Sequence, residues 1–292
     1  MRVILAVVGG LSVASGCTTY TVRKSALAPH IAPPLRSGQG MGASAAEASV
    51  GASTLVSAGA PEEGEGANAG LYIPRVEMNA ALRGQLRENL DIGVLWDHGF
   101  RKGAYATSED QPSPDNGSVY GGGGSLFYSM QTGAPELRVG FGIDLMIYSI
   151  PYVEYRTCVD FCGDGPYTTV THDRDNIGVY SLSLVPSWHS GRLTLFGGGT
   201  VRNHPTIEKG SVEGVFDSDD EVTGGPAVFI AHAGLEVEVG GGVKAMGLVY
   251  QPLEQDPVRY LPTLGVALTV PLARRAVAAP AGTATASPVA AR

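Results

Sequence analysis

The stretch Glu136-Leu137-Arg138-Val139-Gly140-Phe141-Gly142-Ile143-Asp144-Leu145-Met146-Ile147-Tyr148-Ser149-Ile150 decides the fold. Leu137, Val139, Phe141, Ile143, Leu145 and Ile147 fall on one side of an extended chain, and Arg138, Gly140, Gly142, Asp144 and Met146 on the other. A period of two marks a strand with one apolar and one polar face. Strands of globular sheets average about 5 to 6 residues; this one is long enough to cross a bilayer at a tilt.

The pattern recurs along the chain. At the far end Tyr260, Pro262, Leu264, Val266, Leu268, Val270 and Leu272 share one face. Nearer the start Tyr72, Pro74, Val76, Met78, Ala80 and Leu82 oppose Arg75, Glu77, Asn79, Ala81, Arg83 and Gln85. Strands are expected near residues 48–60, 70–86, 90–97, 118–131, 136–152, 176–188, 192–203, 226–239, 243–252 and 260–272. Short links at 87–89, 132–135, 190–191 and 240–242 alternate with long polar ones at 99–117, 156–175 and 204–225. Tight turns on one side and long loops on the other are the asymmetry of barrels in outer membranes. An even strand number puts both chain ends on the short-turn side.

Composition agrees. The chain has 41 Gly among 292 residues, is 43% hydrophobic and 16% charged, and carries a formal net charge of −8. No apolar run beyond the leader reaches the roughly 20 residues of a membrane helix. The acidic balance, with no basic patch, argues against nucleic acid as a partner.

At the amino end, Arg2 precedes an apolar run from Val3 to Val13, and small residues lead to Cys17 in Val13-Ala14-Ser15-Gly16-Cys17. This is the layout of a secretory signal. The motif resembles the lipid-attachment site of bacterial lipoproteins, with Ala14 where that family most often has Leu. The resemblance implies cleavage before Cys17, acylation (palmitate-type) of that cysteine and, from Thr18 after it, delivery to the outer membrane of a Gram-negative-type envelope. Of the 3 cysteines, Cys158 and Cys162 are close enough to pair in an exported protein, leaving Cys17 for lipid. The expected organisation is a signal peptide over 1–16, a lipidated end and flexible tether over 17–47, a barrel over 48–272 and a disordered Ala/Pro-rich tail over 273–292.

The domain from 48 to 272 resembles a bacterial outer-membrane β-barrel: all-β, antiparallel, up-and-down, of eight to ten strands. It departs from the usual pattern in ending its last strand at Leu272 and not at an aromatic residue. If the apolar faces meet lipid, the interior collects Arg75, Glu77, Arg83, Asp91, Arg138, Asp144, His232, Glu236 and Glu238, read as a paired network filling the lumen. Tyr72, Trp96, Tyr120, Tyr180, Tyr250 and Tyr260 are expected in an interfacial girdle at the long-loop end, with Trp188 and Tyr128 near the opposite rim. About ten strands leave no wide channel.

Motif-level chemistry is sparse. His232, Glu236 and Glu238 line up along one strand face, but no Gly-x-Ser-x-Gly or comparable nucleophile accompanies them. The acidic run 217–221 lacks the spacing of a calcium loop. The glycines at 121–124 lie in a strand, without the helix that phosphate-cradling loops need, and suit close packing. The sequence therefore points to a lipid-anchored outer-membrane barrel with a structural or surface-interaction role, in contact with membrane lipid, with no cofactor or metal. A soluble periplasmic β-domain binding an apolar ligand exchanges the inner and outer faces. An outer-membrane enzyme acting on lipid or peptide is the third alternative.

Overall fold

The computed structural model describes residues 19–30, 32–33, 35–41, 44–56, 71–102, 104–106, 117–160, 168–208, 221–253 and 262–274. The strands are β1 (Thr19–Leu27), β2 (Ser44–Leu55), β3 (Leu71–Ile73), β4 (Val76–Arg87), β5 (Leu90–Gly99), β6 (Tyr105–Ala106), β7 (Val119–Gln131), β8 (Leu137–Asp160), β9 (Thr168–Ser190), β10 (Leu193–Asn203), β11 (Thr206–Glu208), β12 (Glu221–Thr223), β13 (Ala227–Gly240), β14 (Val243–Pro252) and β15 (Thr263–Arg274).

Ten of them close into an up-and-down antiparallel barrel in the order β2, β4, β5, β7, β8, β9, β10, β13, β14, β15. The seam is sealed by β15 on β2, with Thr263 opposite Leu55 and Arg274 opposite Ser44. At roughly 3.3 Å per residue, a 12-residue strand such as β4 is about 40 Å long. Tilted by about 40° it spans a hydrocarbon layer of about 30 Å.

Exposure decides which face is outside. Val50, Leu82, Val94, Leu126, Leu145, Leu182, Leu195, Leu235, Val249 and Val266, one from each barrel strand, all stand on the outer surface. Along β8, Leu145 and Ile147 are 62% and 64% exposed, while Asp144 between the same neighbours is 6%. A soluble barrel would bury the first two and expose the third. The apolar band is the outer wall.

Glycines in β7 make the inner face fit. A Cβ on Gly121 would stand 2.6 Å from the Tyr148 ring, and one on Gly123 would overlap the Leu145 carbonyl. The run at 121–124 lets the neighbouring strand approach and gives Tyr148 its place in the lumen.

Three features differ from the sequence expectations. The strand expected over 70–86 breaks at Pro74-Arg75 into β3 and β4, because proline lacks an amide hydrogen to continue a ladder. The long loop expected over 156–175 is largely strand: β8 and β9 run to 24 and 23 residues and rise past the barrel mouth as a hairpin. The flexible tether expected over 17–47 is structured through its described residues. Its first part, β1, lies antiparallel on the raised part of β8, with Ala26 opposite Tyr152 and Tyr20 opposite Cys158. β3 joins β1 in parallel at Ala26 and Leu27, and β6 pairs with β3, completing a sheet outside the barrel. The strand start at Thr19 is therefore at the long-loop end, contrary to the expectation that both chain ends lie on the short-turn side.

Candidate functional site: the filled lumen

Residues 28–41 lead from β1 at the long-loop mouth to β2, which begins at the short-turn rim. The described ones, 28–30, 32–33 and 35–41, lie in the barrel interior and are bonded to its wall. At the top, His204 Nε2 donates to the Pro29 carbonyl at 3.0 Å, and the His30 amide donates to Glu77 Oε2 at 2.8 Å. The His30 ring lies between Ser53 Oγ, 2.8 Å from Nδ1, and the Pro74 carbonyl, hydrogen-bonded to Nε2. A carbonyl can only accept, so Nε2 carries the proton and Nδ1 accepts from Ser53.

Midway, Arg202 donates to the Ala32 carbonyl at 3.0 Å and to Tyr148 Oη at 2.7 Å, and Tyr148 in turn donates to Asp97. Arg83 reaches the Leu35 carbonyl at 3.2 Å. Arg36 pairs with Asp144 at 3.3 Å and lies over the Phe127 ring at 4.0 Å. Lower down, Ser37 donates to Glu236 at 3.3 Å. Gly38 donates to Ser187 Oγ at 2.6 Å and accepts from Ser129 Oγ at 2.7 Å. The partners come from β2, β4, β7, β8, β9, β10 and β13, so the segment is gripped from around the ring.

This arrangement obeys the physics of a polar interior. Isolated charges are too costly to bury, whereas paired and hydrogen-bonded ones persist. Between segment and wall is a cavity of about 70 Å³ lined by Leu35, Arg36, Asn79, Arg83, Asp144 and Arg202, room for a few waters. Buried atoms without a protein partner include Arg83 Nε and both His232 ring nitrogens, groups that a hydrated lumen satisfies with water.

Of the residues expected inside, Glu77, Arg83, Asp91, Asp144, His232 and Glu236 face the lumen. Arg75 does not: it is exposed at the bend that separates β3 from β4. Arg138 and Glu238 keep inward phase but stand at the open short-turn rim, around a vestibule shared with His189, Arg192 and Lys244. Glu238 is exposed there to water. Trp96, Tyr120 and Tyr180 are on the outer wall towards the long-loop end, and Tyr128 and Trp188 on it towards the other. Tyr72 is buried in the outer sheet and Tyr250 in the lumen, so neither joins a girdle. The phase of β14 accounts for the second: Met246, Leu248 and Tyr250 point inward and Ala245, Gly247 and Val249 outward. Cys17, Cys162, Tyr260 and the acidic residues 217–220 lie outside the described residues; Cys158 is buried in β8.

The polar side chains named above hold the segment against the wall. Ser53 and His30 have the contact of a nucleophile and its base, but each is 1% exposed and Glu77 bonds the His30 backbone, not its ring. Among the described residues neither His232 ring nitrogen has a hydrogen-bond partner, and Glu236 accepts from Ser37. Among the described residues no three His, Cys, Asp or Glu side chains are grouped to hold a metal. Sequence reading missed His30, Arg36, Gly38, Ser53, Tyr148 and Arg202. Tyr148 and Arg202 carried a signal in their inward phase; the luminal segment carried none, because many of its bonds use main-chain atoms.

No protein-family model and no curated protein matches the chain. Solved structures similar to it include LpxR from Salmonella typhimurium, at 8% identity over 76% of this chain and 99% of that one, with a TM-score of 0.36. The NanC porin is similar at 8% identity, 78% and 100% coverage and a TM-score of 0.32. The translocator domain of the autotransporter NalP from Neisseria meningitidis is similar at 13% identity, 77% and 85% coverage and a TM-score of 0.27. The fold class stands on the chain's own strand pairing and exposure: an all-β, closed antiparallel barrel of ten strands with the build of an outer-membrane protein.

Proposed function

We propose that the chain is an outer-membrane β-barrel with a non-enzymatic, structural or surface-interaction role, its lumen occupied by its own residues 28–41. The observation that carries this reading is the contrast of an apolar outer wall on all ten strands with a polar lumen in which the chain's own segment is hydrogen-bonded to the wall. The working surface is the raised β8–β9 hairpin with β1, β3 and β6 beside it. There Lys24 pairs with Glu154 at 3.6 Å and covers the Tyr152 ring at 4.3 Å. Arg174 ties the hairpin to the barrel mouth through Ser118 and Ser149 and lies over the Tyr120 ring at 4.5 Å. Export by residues 1–16, acylation of Cys17 and a Cys158–Cys162 disulfide belong to the same proposal.

The test is fractionation of the producing cell with gel migration before and after heating, followed by conductance of the purified protein in planar bilayers. The expected result is recovery with the outer membrane, heat-modifiable migration and little steady conductance. Release by salt as a detergent-free folded protein would refute the membrane placement, and a large constant conductance would refute the filled lumen. Acyl-chain labelling lost in Cys17→Ala tests the lipid.

A further inference from the structure

Chain direction adds a consequence that the number of strands conceals. Ten strands return the carboxyl end of the barrel, Arg274, to the rim where Ser44 begins β2. A chain entering β2 from outside the barrel would have both ends on that side. Here it enters from inside. Leu27 is at the long-loop mouth beside Tyr72, and β1 runs back from it, away from the barrel, until Thr19 stands opposite Asp160 at the top of the raised hairpin.

We propose that the barrel keeps its amino-terminal segment in a trans-luminal path, so that the chain ahead of Thr19 is displayed on the long-loop face, across the membrane from the carboxyl terminus. The proposal rests on the outer-membrane reading for the identity of that face as the cell exterior.

Two sets of contacts, distinct in kind, hold the path. One is the ladder of β1 on β8, from Tyr20 opposite Cys158 to Ala26 opposite Tyr152, supported by the Lys24 to Glu154 pair. The other is the sequence of luminal contacts at Pro29, His30, Ala32, Leu35, Arg36, Ser37 and Gly38. Those contacts begin with Pro29 near the long-loop mouth and end with Gly38 near the short-turn rim. Neither set alone determines the side; together they leave the chain no other route.

The consequence is for anchoring. At about 3.3 Å per residue, the 9 residues of β1 carry the chain from Leu27 at the mouth to Thr19, about 30 Å along the raised part of β8. A lipid ahead of Thr19 serves a surface outside the barrel. It does not reach the leaflet at the short-turn side, which is where a lipid anchor and a barrel with an even number of strands would otherwise meet. The chain ahead of Thr19 is thus assigned to the long-loop face.

The experiment uses the full chain in its own cell with one epitope per variant: between Thr18 and Thr19, in the loop at 161–167, or after Arg292. Antibody binding is read on intact and on permeabilised cells, and heat-modifiable migration is checked for each variant. The expected result is binding on intact cells for the first two and only after permeabilisation for the third. If the loop epitope binds on intact cells and the one ahead of Thr19 requires permeabilisation, the trans-luminal path is overturned while the membrane reading stands. If the loop epitope itself is hidden on intact cells, the orientation and the inference both fall.

Discussion

Gly38 is the position where one added carbon should unseat the luminal segment. A Cβ there would overlap the Val185 carbonyl oxygen, stand 2.7 Å from Ser187 Oγ and 3.1 Å from the Gly140 amide nitrogen. Two of these are main-chain atoms of paired strands, β8 and β9, which cannot retreat without breaking the barrel ladder. In Gly38→Ala the segment itself must therefore lift. It then loses the bond from Gly38 to Ser187 and the one from Ser129 to Gly38. With each bond contributing about 1 kcal/mol net and an orphaned buried hydroxyl costing about as much again, the seated state loses about 2 to 4 kcal/mol. That corresponds to a rise of about 30-fold to about 1,000-fold in the released fraction. The assay is single-molecule conductance in a planar bilayer, together with hydrogen exchange of peptides covering 28–41. Wild type should be closed with slow exchange, and Gly38→Ala should show frequent openings and fast exchange in that segment while the barrel strands remain protected. An alanine variant as silent and as protected as wild type would refute the threading.

Further outcomes follow from the same geometry. Arg36→Met strands Asp144, 6% exposed and left with Ser181 as a donor at 3.1 Å, and should cost about 3 to 5 kcal/mol, the range for breaking one side of a buried pair. Adding Asp144→Asn should recover part of it in a double-mutant cycle read by urea unfolding in detergent micelles; strict additivity would mean that the pair does not exist. Leu145→Arg places a charge on the lipid face and should cost about 2 to 4 kcal/mol in lipid vesicles, whereas a neutral effect would mean that this face meets water.

What could be read along the chain, and what could not, divides by the range of the interactions concerned. The outer wall was legible because a strand's two faces alternate residue by residue, so Leu137, Phe141, Ile143 and Leu145 declare themselves as a set. Asp91, Asp144 and Glu236 were legible as the polar side of the same count. Arg75 misled because Pro74 shifts the chain from one sheet to another within two residues. Tyr250 misled because β14 offers apolar or small residues on both faces, leaving its phase unmarked. The upper part of β8 and β9 read as loop because no membrane imposes an alternation there; its order comes from the pairing of β8 with β9 and with β1.

The sequence by itself determined a series of about ten strands, each with one apolar and one polar face, since burial on one face of a strand is a local, periodic demand; exposure in the closed barrel decided that the apolar face is the outer one. Only the tertiary structure decided what fills the barrel and on which side the chain begins. Those depend on contacts such as Ser37 to Glu236, 199 residues apart, and on main-chain donors and acceptors at Ala32, Leu35 and Gly38. Every residue carries such groups alike, so no pattern of side chains along the sequence announces which of them will be used.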